Sequence, residues 1–576
     1  MRCAKCGEQC PPGEVYCPNC GAALLRPSRR RRRFSKKRLI RAVVLLLLCV
    51  GLIVGAIVGV VKLVQGLSGG GGSLKDTYPL VYLKDNEVFL KDGEADKRNI
   101  SPQLSQAVAD IWKSDAKQLS ALSRDGTALY YLDGYDPDLR QGVLYVKQRD
   151  AERAKIADGA FEYFVVSQDG GRVLYLTGYD SATQTGELYL YTRKDGSSRK
   201  LAASVVPGFY CFSPNGERVA YAKQTSLEQH EADIYLDAGG EQPELIDERA
   251  YMPLMVTDKG AVYYAKNPEL ENKQTFSLYL KDGRKDTERL ANDVRYIWTN
   301  PTGGELLFLA NYTGQVGDLY YQKAGQDREK VDGNVTDLLF GQGTVLTRAN
   351  RLIPVGVADR ESLSEAIAYW KKDASGVTLA ARYKGGEVLE VVQAASTPVC
   401  LASRDLTRFF YVKEGVLSAR GYDRKSAALT EETVLTQAVV SVGVSQDGKT
   451  VYALKGEAAS SALVRIGEDG QEQTLAEGVH AFQVSASGKS VLYLANFDSA
   501  ARSGELYLNT QGQPQTRIAS SVAEYIVQQD PSNGEMKRIY LLSDYDTAKQ
   551  VGLLYLYDGG ELPVKLDSDV QKVLRY

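Results

Sequence analysis

The stretch FEYFVVSQDGGRVLYLTGYDSATQTGELYLYTRKDGSSRKLA, residues 161–202, decides the fold. Two short runs, Val173-Leu174-Tyr175-Leu176 and Leu188-Tyr189-Leu190-Tyr191, read as strands by period and length. Turn signals bound them: Ser167-x-Asp169-Gly170 before the first and Asp195-Gly196 after the second. A corner, Gly178-Tyr179-Asp180, leads through a polar loop to Gly186-x-Leu188-Tyr189. The order returns from Gln118 (QLSALSRDGTALYYLDGYDPDLRQGVLYVKQ), from Ala481 (AFQVSASGKSVLYLANFDSAARSGELYLNTQGQPQTRIA) and near Arg538 (RIYLLSDYDTAKQVGLLYLYDGGELPVKL). Sister corners are Asn496-Phe497-Asp498 and Asp544-Tyr545-Asp546, and sister turns are Pro214-Asn215-Gly216 and Asp447-Gly448. A unit of about 40–50 residues with four strands is the size of one propeller blade, which must stack on its neighbours to bury both faces.

The expected class is therefore mainly all-β, with eleven units, some degraded, between residues 80 and 576. Rings usually have about four to eight blades, so two propellers in series are expected, 75–345 and 346–576. The boundary is placed in 340–400, where the grammar lapses and residues 359–372 read as a helix. The turn-and-strand pattern SxDGxxxxY resembles the propeller repeats of TolB and of the N-terminal domains of prolyl oligopeptidase-type peptidases. That resemblance covers most of residues 75–576 and implies a platform for protein or peptide binding, or a host for an enzyme. In those peptidases a separate α/β-hydrolase domain carries the triad, whereas here the repeats run to the last residue.

Upstream lies a run of 20 apolar residues, 42–61. As a helix it would span roughly 30 Å, the thickness of a bilayer core. The segment 24–41 before it holds Arg29, Arg30, Arg31, Arg32, Arg33, Lys36, Lys37, Arg38 and Arg41. Positive charge stays on the cytoplasmic side, so the expectation is a single-pass cell-membrane protein with its N-terminus inside and its bulk extracytoplasmic. The net charge of −2 hides an asymmetry: residues 1–41 carry 12 Lys/Arg against 2 Asp/Glu, and the remainder 58 against 70. So close to the membrane, the basic cluster is expected to orient the helix and touch anionic lipid rather than nucleic acid. A cleaved signal peptide is disfavoured by the length of the run and the lack of a small-x-small site after it, and Leu46-Leu47-Leu48-Cys49 only faintly matches a lipoprotein box. Gly51, Gly55 and Gly59 share one helix face, where a homodimer could pack. Residues 62–74, with QGLSGGGGS inside, read as a flexible linker.

Five of the eight cysteines lie in the first 20 residues. Cys3-x2-Cys6 and Cys17-x2-Cys20 form two paired-thiol knuckles, each followed by glycine, Gly7 and Gly21. Such pairs let four thiolates surround one zinc ion tetrahedrally, and in so short a segment the metal would supply the folding energy. A redox set is the rival, but no βαβ pattern lies nearby, and Cys10 is left as a spare thiol. The segment CAKCGEQCPPGEVYCPNCG resembles the short zinc-ribbon domain at the N-termini of many bacterial membrane proteins, over residues 1–23. The expected cofactor is Zn(2+), in a closed structural site. Outside the span only Cys211 and Cys400 remain, too few for a disulfide framework.

Several motifs tempt and fail. Gly443-Val444-Ser445-Gln446-Asp447-Gly448-Lys449-Thr450 fits the phosphate-loop expression, yet a strand run, Val451-Tyr452-Ala453-Leu454, follows where a helix is required. Histidine occurs twice, His230 and His480, and neither H-E-x-x-H nor G-x-S-x-G is present. Asp133, Asp136 and Asp138 could hold calcium or simply be solvated turn acids. The 36 tyrosines are read mainly as blade packing, with Tyr135 and Tyr179 as candidates for a binding face. No catalytic residue is assigned, and the chain is expected not to be an enzyme. The leading expectation is a membrane-anchored platform whose propeller binds protein, peptide or cell-wall ligands and whose ribbon contacts a cytosolic protein. The alternatives are an extracellular carboxylate-dependent hydrolase or lyase on the propeller face, or a transmembrane sensor.

Overall fold

The computed structural model describes residues 2–3, 5–10, 17, 19–20 and 80–574, except 92–96, 125, 149–150, 284, 349–351, 457–460 and 531. The chain divides into two compact units, Met1–Gly71 and Gly72–Tyr576. Among the described residues no helix is long and apolar enough to cross a membrane. The expected span 42–61, its glycine face, the basic segment and the linker lie outside the described residues.

The second unit is mainly β, as the repeat grammar predicts. In the quoted stretch, strand Arg172–Asp180 pairs antiparallel with Thr185–Thr192, which pairs with Ser197–Phe212. Tyr175 stands opposite Tyr189, and their rings stack 5.6 Å apart. The same cross-strand stack recurs as Tyr131 on Tyr145, Tyr221 on Tyr235, Tyr264 on Tyr279 and Tyr493 on Tyr507. Directly opposed aromatic pairs are a main source of sheet stability, which accounts for the tyrosine-rich strands.

The S-x-D-G turns have one construction. Ser167 Oγ accepts from the Arg172 N–H at 2.9 Å and donates to Asp169 at 2.6 Å. Ser403, Ser445 and Ser485 repeat the first bond with Arg408, Thr450 and Ser490. The four hydroxyls are buried, so these bonds prevent the loss that an unpaired interior hydroxyl would bring. At the opposite corner, Asp136, Asp180, Asp423, Asp498 and Asp546 each cap the N–H two residues on.

Four long strands serve two sheets each. Ser197–Phe212 is the outer strand of one sheet through its first half and the inner strand of the next through its second. Glu329–Leu339, Thr516–Gln529 and Val564–Val573 do the same. Counted this way, eleven sheets of four main strands follow one another among the described residues, one of them with a short fifth strand. The last joins the first: Tyr82, Leu83 and Lys84 pair with Val573, Lys572 and Val570, and the Leu574 N–H donates to Val81 O at 2.9 Å.

This circuit differs from the two propellers expected in series. Among the described residues no ladder closes 75–345 on itself, and the boundary at 345/346 falls inside a continuous nine-stranded sheet. The lapse in grammar is an insertion between two paired strands, Glu329–Leu339 and Ala366–Asp373. The insertion carries a hairpin, Leu346–Arg348 with Val355–Ala358, whose second strand adds parallel to Tyr296–Thr299. The helix expected over 359–372 is likewise corrected, since Ala366–Asp373 is a strand. Its alternate residues fill two cores, Ala366, Ala368 and Trp370 on one side, Ile367 and Tyr369 on the other. A run buried on both faces shows no alternation for sequence reading to catch. A true helix, Gln106–Asp115, was not anticipated; the Ser105 hydroxyl caps it by accepting from Val108 N–H at 3.3 Å, and Val108, Ala109 and Trp112 are buried.

The closure is clamped by charge. The buried Asp567 carboxylate accepts from Tyr82 Oη at 2.7 Å, Lys97 Nζ at 2.7 Å and Lys84 Nζ at 3.2 Å. Burial opposes its ionisation, but Lys97, Tyr82, the Ser568 N–H and Lys84 outweigh that and hold it at about 2. Since this lies below the ordinary aspartate value of about 3.9, the clamp stabilises the fold fully above that pH and fades as pH falls towards 2. Asp567→Asn is expected to cost on the order of 1–3 kcal/mol at neutral pH and to flatten the loss of stability between about pH 4 and 2, read by thermal unfolding of the full chain. A second expectation concerns turn packing. Gly488 has φ +75° and a Cβ there would lie 2.5 Å from Ser445 Cβ, whereas Gly196, φ +67°, has open space around it. Gly196→Ala should cost about 1–2 kcal/mol for the backbone alone, and Gly488→Ala a further ~1–3 kcal/mol of overlap, measured by denaturant titration.

Candidate functional site

In the first unit the two knuckles converge. One sulfur from each of Cys3, Cys6, Cys17 and Cys20 lies within 4.8 Å of the other three. Cys3 Sγ is 3.7 Å from Cys20 Sγ, and Cys6 Sγ is 3.6 Å from Cys17 Sγ. Tetrahedral bonds of about 2.3 Å would put thiolate sulfurs about 3.8 Å apart, so the set fits a four-sulfur ion. The turn is built for this: the Cys3 N–H donates to Glu8 O and the Gly7 N–H to Cys3 O, both at 2.9 Å, with Gly7 at φ +77°. The Lys5 N–H donates to Cys3 Sγ at 3.4 Å, and with the Cys6 N–H it holds that thiol below its usual range. Burial opposes ionisation of Cys17, but the N–H groups of Asn19 and Cys20 and the thiols of Cys10 and Cys6 bring it to about 6. The spare thiol, Cys10, is buried beside the four. Gly21 lies outside the described residues.

The other expected residues have structural duties. Asp133 bonds Ser101 and Arg153 at 2.8 Å each, and Asp136 caps Asp138 and Leu139. The Asp133 and Asp136 carboxylates are therefore committed to the corner, and the three aspartates do not form a metal-ligating group among the described residues. Tyr135 is buried and donates to Glu162, which also binds Arg140 Nε at 2.9 Å; Tyr179 packs on Phe161 with ring centroids 4.2 Å apart. The phosphate-loop lookalike is a hairpin turn leading into strand Val451–Lys455. Burial pushes the Cys211 and Cys400 thiols up to about 12. His230 sits at φ +54° in a corner turn.

His480 leads to a feature the sequence did not announce. It stacks on Phe497, centroids 4.5 Å apart, at the wall of a cleft of about 900 Å3. Leu80, residues 480–483 and residues 523–529 line it. A strand seen face-on would contribute alternate residues; seven consecutive residues mean that the cleft runs along a strand edge. Residues 523–529 ladder with the strand Met536–Asp546, and Val479–Val484 with Ser490–Asp498, and both strands contribute to the wall of the cleft. All seven are half-buried, without the alternation of packed strands. Across the circuit the corresponding strand Met252–Val256 is buried throughout. The insertion does this: Ile353 and Val355 fill the core beside Leu254, Val256 and Ile297, and a Cβ at Gly208 would lie 2.5 Å from the Leu352 side chain. One side is plugged and the other open. A readable signal existed, since Gln529 stands where sister units have an apolar residue before the turn, as Val484 does before Ser485.

No family model matches the chain, and no curated protein matches it. Solved structures do. A eukaryotic initiation factor is 9% identical with a TM-score of 0.40, over 86% of this chain and 96% of that one. Dipeptidyl peptidase 4 from Porphyromonas gingivalis is 13% identical with a TM-score of 0.34, over 74% and 65%. A TolB homologue from Agrobacterium tumefaciens is 16% identical with a TM-score of 0.23, over 43% and 89%. The chain spans 63% of tricorn protease and 58% of a prolyl endopeptidase, which it also matches. The neighbours are thus propellers of TolB and prolyl-peptidase type. They correct the expectation that the chain is not an enzyme: peptidases stand among the matched structures, and the exclusion of catalysis is withdrawn.

Proposed function

We propose that the chain is a membrane-tethered ligand-binding protein whose β-circuit takes its ligand in the cleft along residues 523–529. One observation carries the reading: an open, aromatic-walled cleft exists on one side of a circuit whose opposite side is filled by the chain's own insertion. Concave sites with apolar walls and a few polar groups are where ligands bind. The apolar run 42–61 would anchor the protein in the cell membrane, lipid headgroups would meet the basic segment, and the propeller would face outward to protein, peptide or cell-wall ligands. Cys3, Cys6, Cys17 and Cys20 would hold Zn(2+) as a structural ion and present a surface to a cytosolic protein. Gly51, Gly55 and Gly59 would form the contact of a homodimer.

Two tests follow. Full-length protein in lipid nanodiscs should bind fluorescent pools of muropeptides or peptides, with Phe482→Ala/Tyr525→Ala weakening binding at least ten-fold and leaving the circular dichroism unchanged. Binding that survives the double substitution, or no binding by either pool, contradicts the reading. Purified full-length protein should carry one zinc per chain, removed by Cys17→Ser without a change in the main unfolding transition. A metal content unaffected by that substitution would contradict the four-thiol site.

A further inference from the structure

Resting on the zinc reading of the first unit, we infer that Cys10 is a fifth metal ligand of the thiol cluster, an alternate that takes the place of Cys6 around the ion. The cluster then offers two ligand sets, Cys3, Cys6, Cys17 and Cys20, or Cys3, Cys10, Cys17 and Cys20. A tetrahedral ion uses one of them at a time.

Backbone register aims Cys10 inward. Arg2 bridges Gln9 antiparallel, and one step inside that pair the Cys3 N–H donates to Glu8 O at 2.9 Å. Successive side chains of paired extended chains point to opposite faces. Cys3 and Cys10 each stand one residue on from the bridge, so they share the face opposite Arg2 and Gln9. Burial follows that division: Arg2 and Gln9 are exposed, whereas Cys3 and Cys10 are each only 3% exposed. Cys10 packs in one cluster with Cys3, Cys17 and Cys20. Its thiol and that of Cys17 act on each other as hydrogen-bond partners.

The first ligand set has one vulnerable member. Cys3 and Cys17 are buried and Cys20 is half-buried, but Cys6 is exposed. An exposed thiolate is the first to meet oxidants and electrophiles. Cys10 lies on the protected side, where its thiol donates to Glu8 O over a long 3.7 Å. Replacing Cys6 by Cys10 moves no electrons: one sulfur–metal bond breaks, one forms, and the Cys10 proton passes to the released Cys6 or to water. A buried cysteine can also act as a small apolar filler, a role that asks nothing of its sulfur. The two roles differ in whether the metal senses the loss of Cys10 once Cys6 is gone.

The test uses full-length protein in lipid nanodiscs, with cobalt(II), zinc(II) and N-ethylmaleimide as probes. Metal-stripped wild type and Cys10→Ser should both take up cobalt with the strong sulfur-to-cobalt charge-transfer band of four thiolates. Cys6→Ser should keep a four-thiolate band. Cys6→Ser/Cys10→Ser should drop to a three-thiolate band and bind zinc roughly a hundred-fold more weakly than Cys6→Ser. A second arm needs no Cys6 variant: zinc-loaded wild type and Cys10→Ser are labelled with limiting N-ethylmaleimide and the labelled thiols mapped by mass spectrometry. Wild type labelled at Cys6 should keep its zinc, and Cys10→Ser labelled at Cys6 should lose it. Equal zinc loss from the two labelled proteins overturns the inference, as does a Cys6→Ser cobalt band identical to that of the double variant. In either case wild-type uptake of the metal leaves the four-thiol site standing. A wild type that takes up neither cobalt nor zinc overturns the site and the inference together.

Discussion

The turn glycines Gly170, Gly216, Gly448 and Gly488 each lie against the serine that anchors the turn of the preceding sheet, and the circuit depends on that contact. A Cβ at Gly170 would overlap Ser123, one at Gly216 would lie 3.2 Å from Ser167 and one at Gly448 3.1 Å from Ser403. Tyrosines lock the same joints: Tyr130 Oη donates to Gly170 O at 2.7 Å and Tyr452 Oη to Gly488 O at 3.0 Å. Sheet therefore follows sheet at a spacing set by main chain rather than by long side chains. Where glycine is missing, the backbone keeps the same shape, with Leu406 at φ +57° accepting from Tyr383 at 2.6 Å. Such close packing admits little adjustment, so the outer rim is regular and variation is pushed into the inner strands and the insertion.

That division explains what could be read from the chain. The serine turns, the aspartate corners and the tyrosine pairs are local patterns, and each repeats often enough to announce a four-stranded unit. The phosphate-loop lookalike at 443–450 could be dismissed because a strand run follows it. Closure could not be read, because Tyr82 and Asp567 are 485 residues apart and neither belongs to a motif. The insertion looked like a domain boundary because a hairpin that fills another sheet's interior has no repeat grammar of its own. Nor could the cleft be read: it is lined by segments far apart in the chain, Leu80, residues 480–483 and residues 523–529, and only Gln529 before its turn hinted at it.

The thiol cluster is the opposite case, since four cysteines at fixed short spacings determine their own convergence. Two sulfur pairs are 3.6 and 3.7 Å apart and all four sulfurs lie within 4.8 Å of one another, which fits the zinc site proposed above. The scarcity of histidine and the missing hydrolase motifs seemed to argue against catalysis, yet a fold class by itself gives no licence to exclude it.

The account stands on a single circuit closed by its last strand on its first. Amide hydrogen exchange of the full chain, followed peptide by peptide, tests this directly. Segments 80–84 and 570–574 should exchange as slowly as the tyrosine strands at 172–180 and 490–498. Fast exchange at both termini while those central strands stay protected would mean an open arc, and both the closure and the one-sided cleft built on it would be wrong.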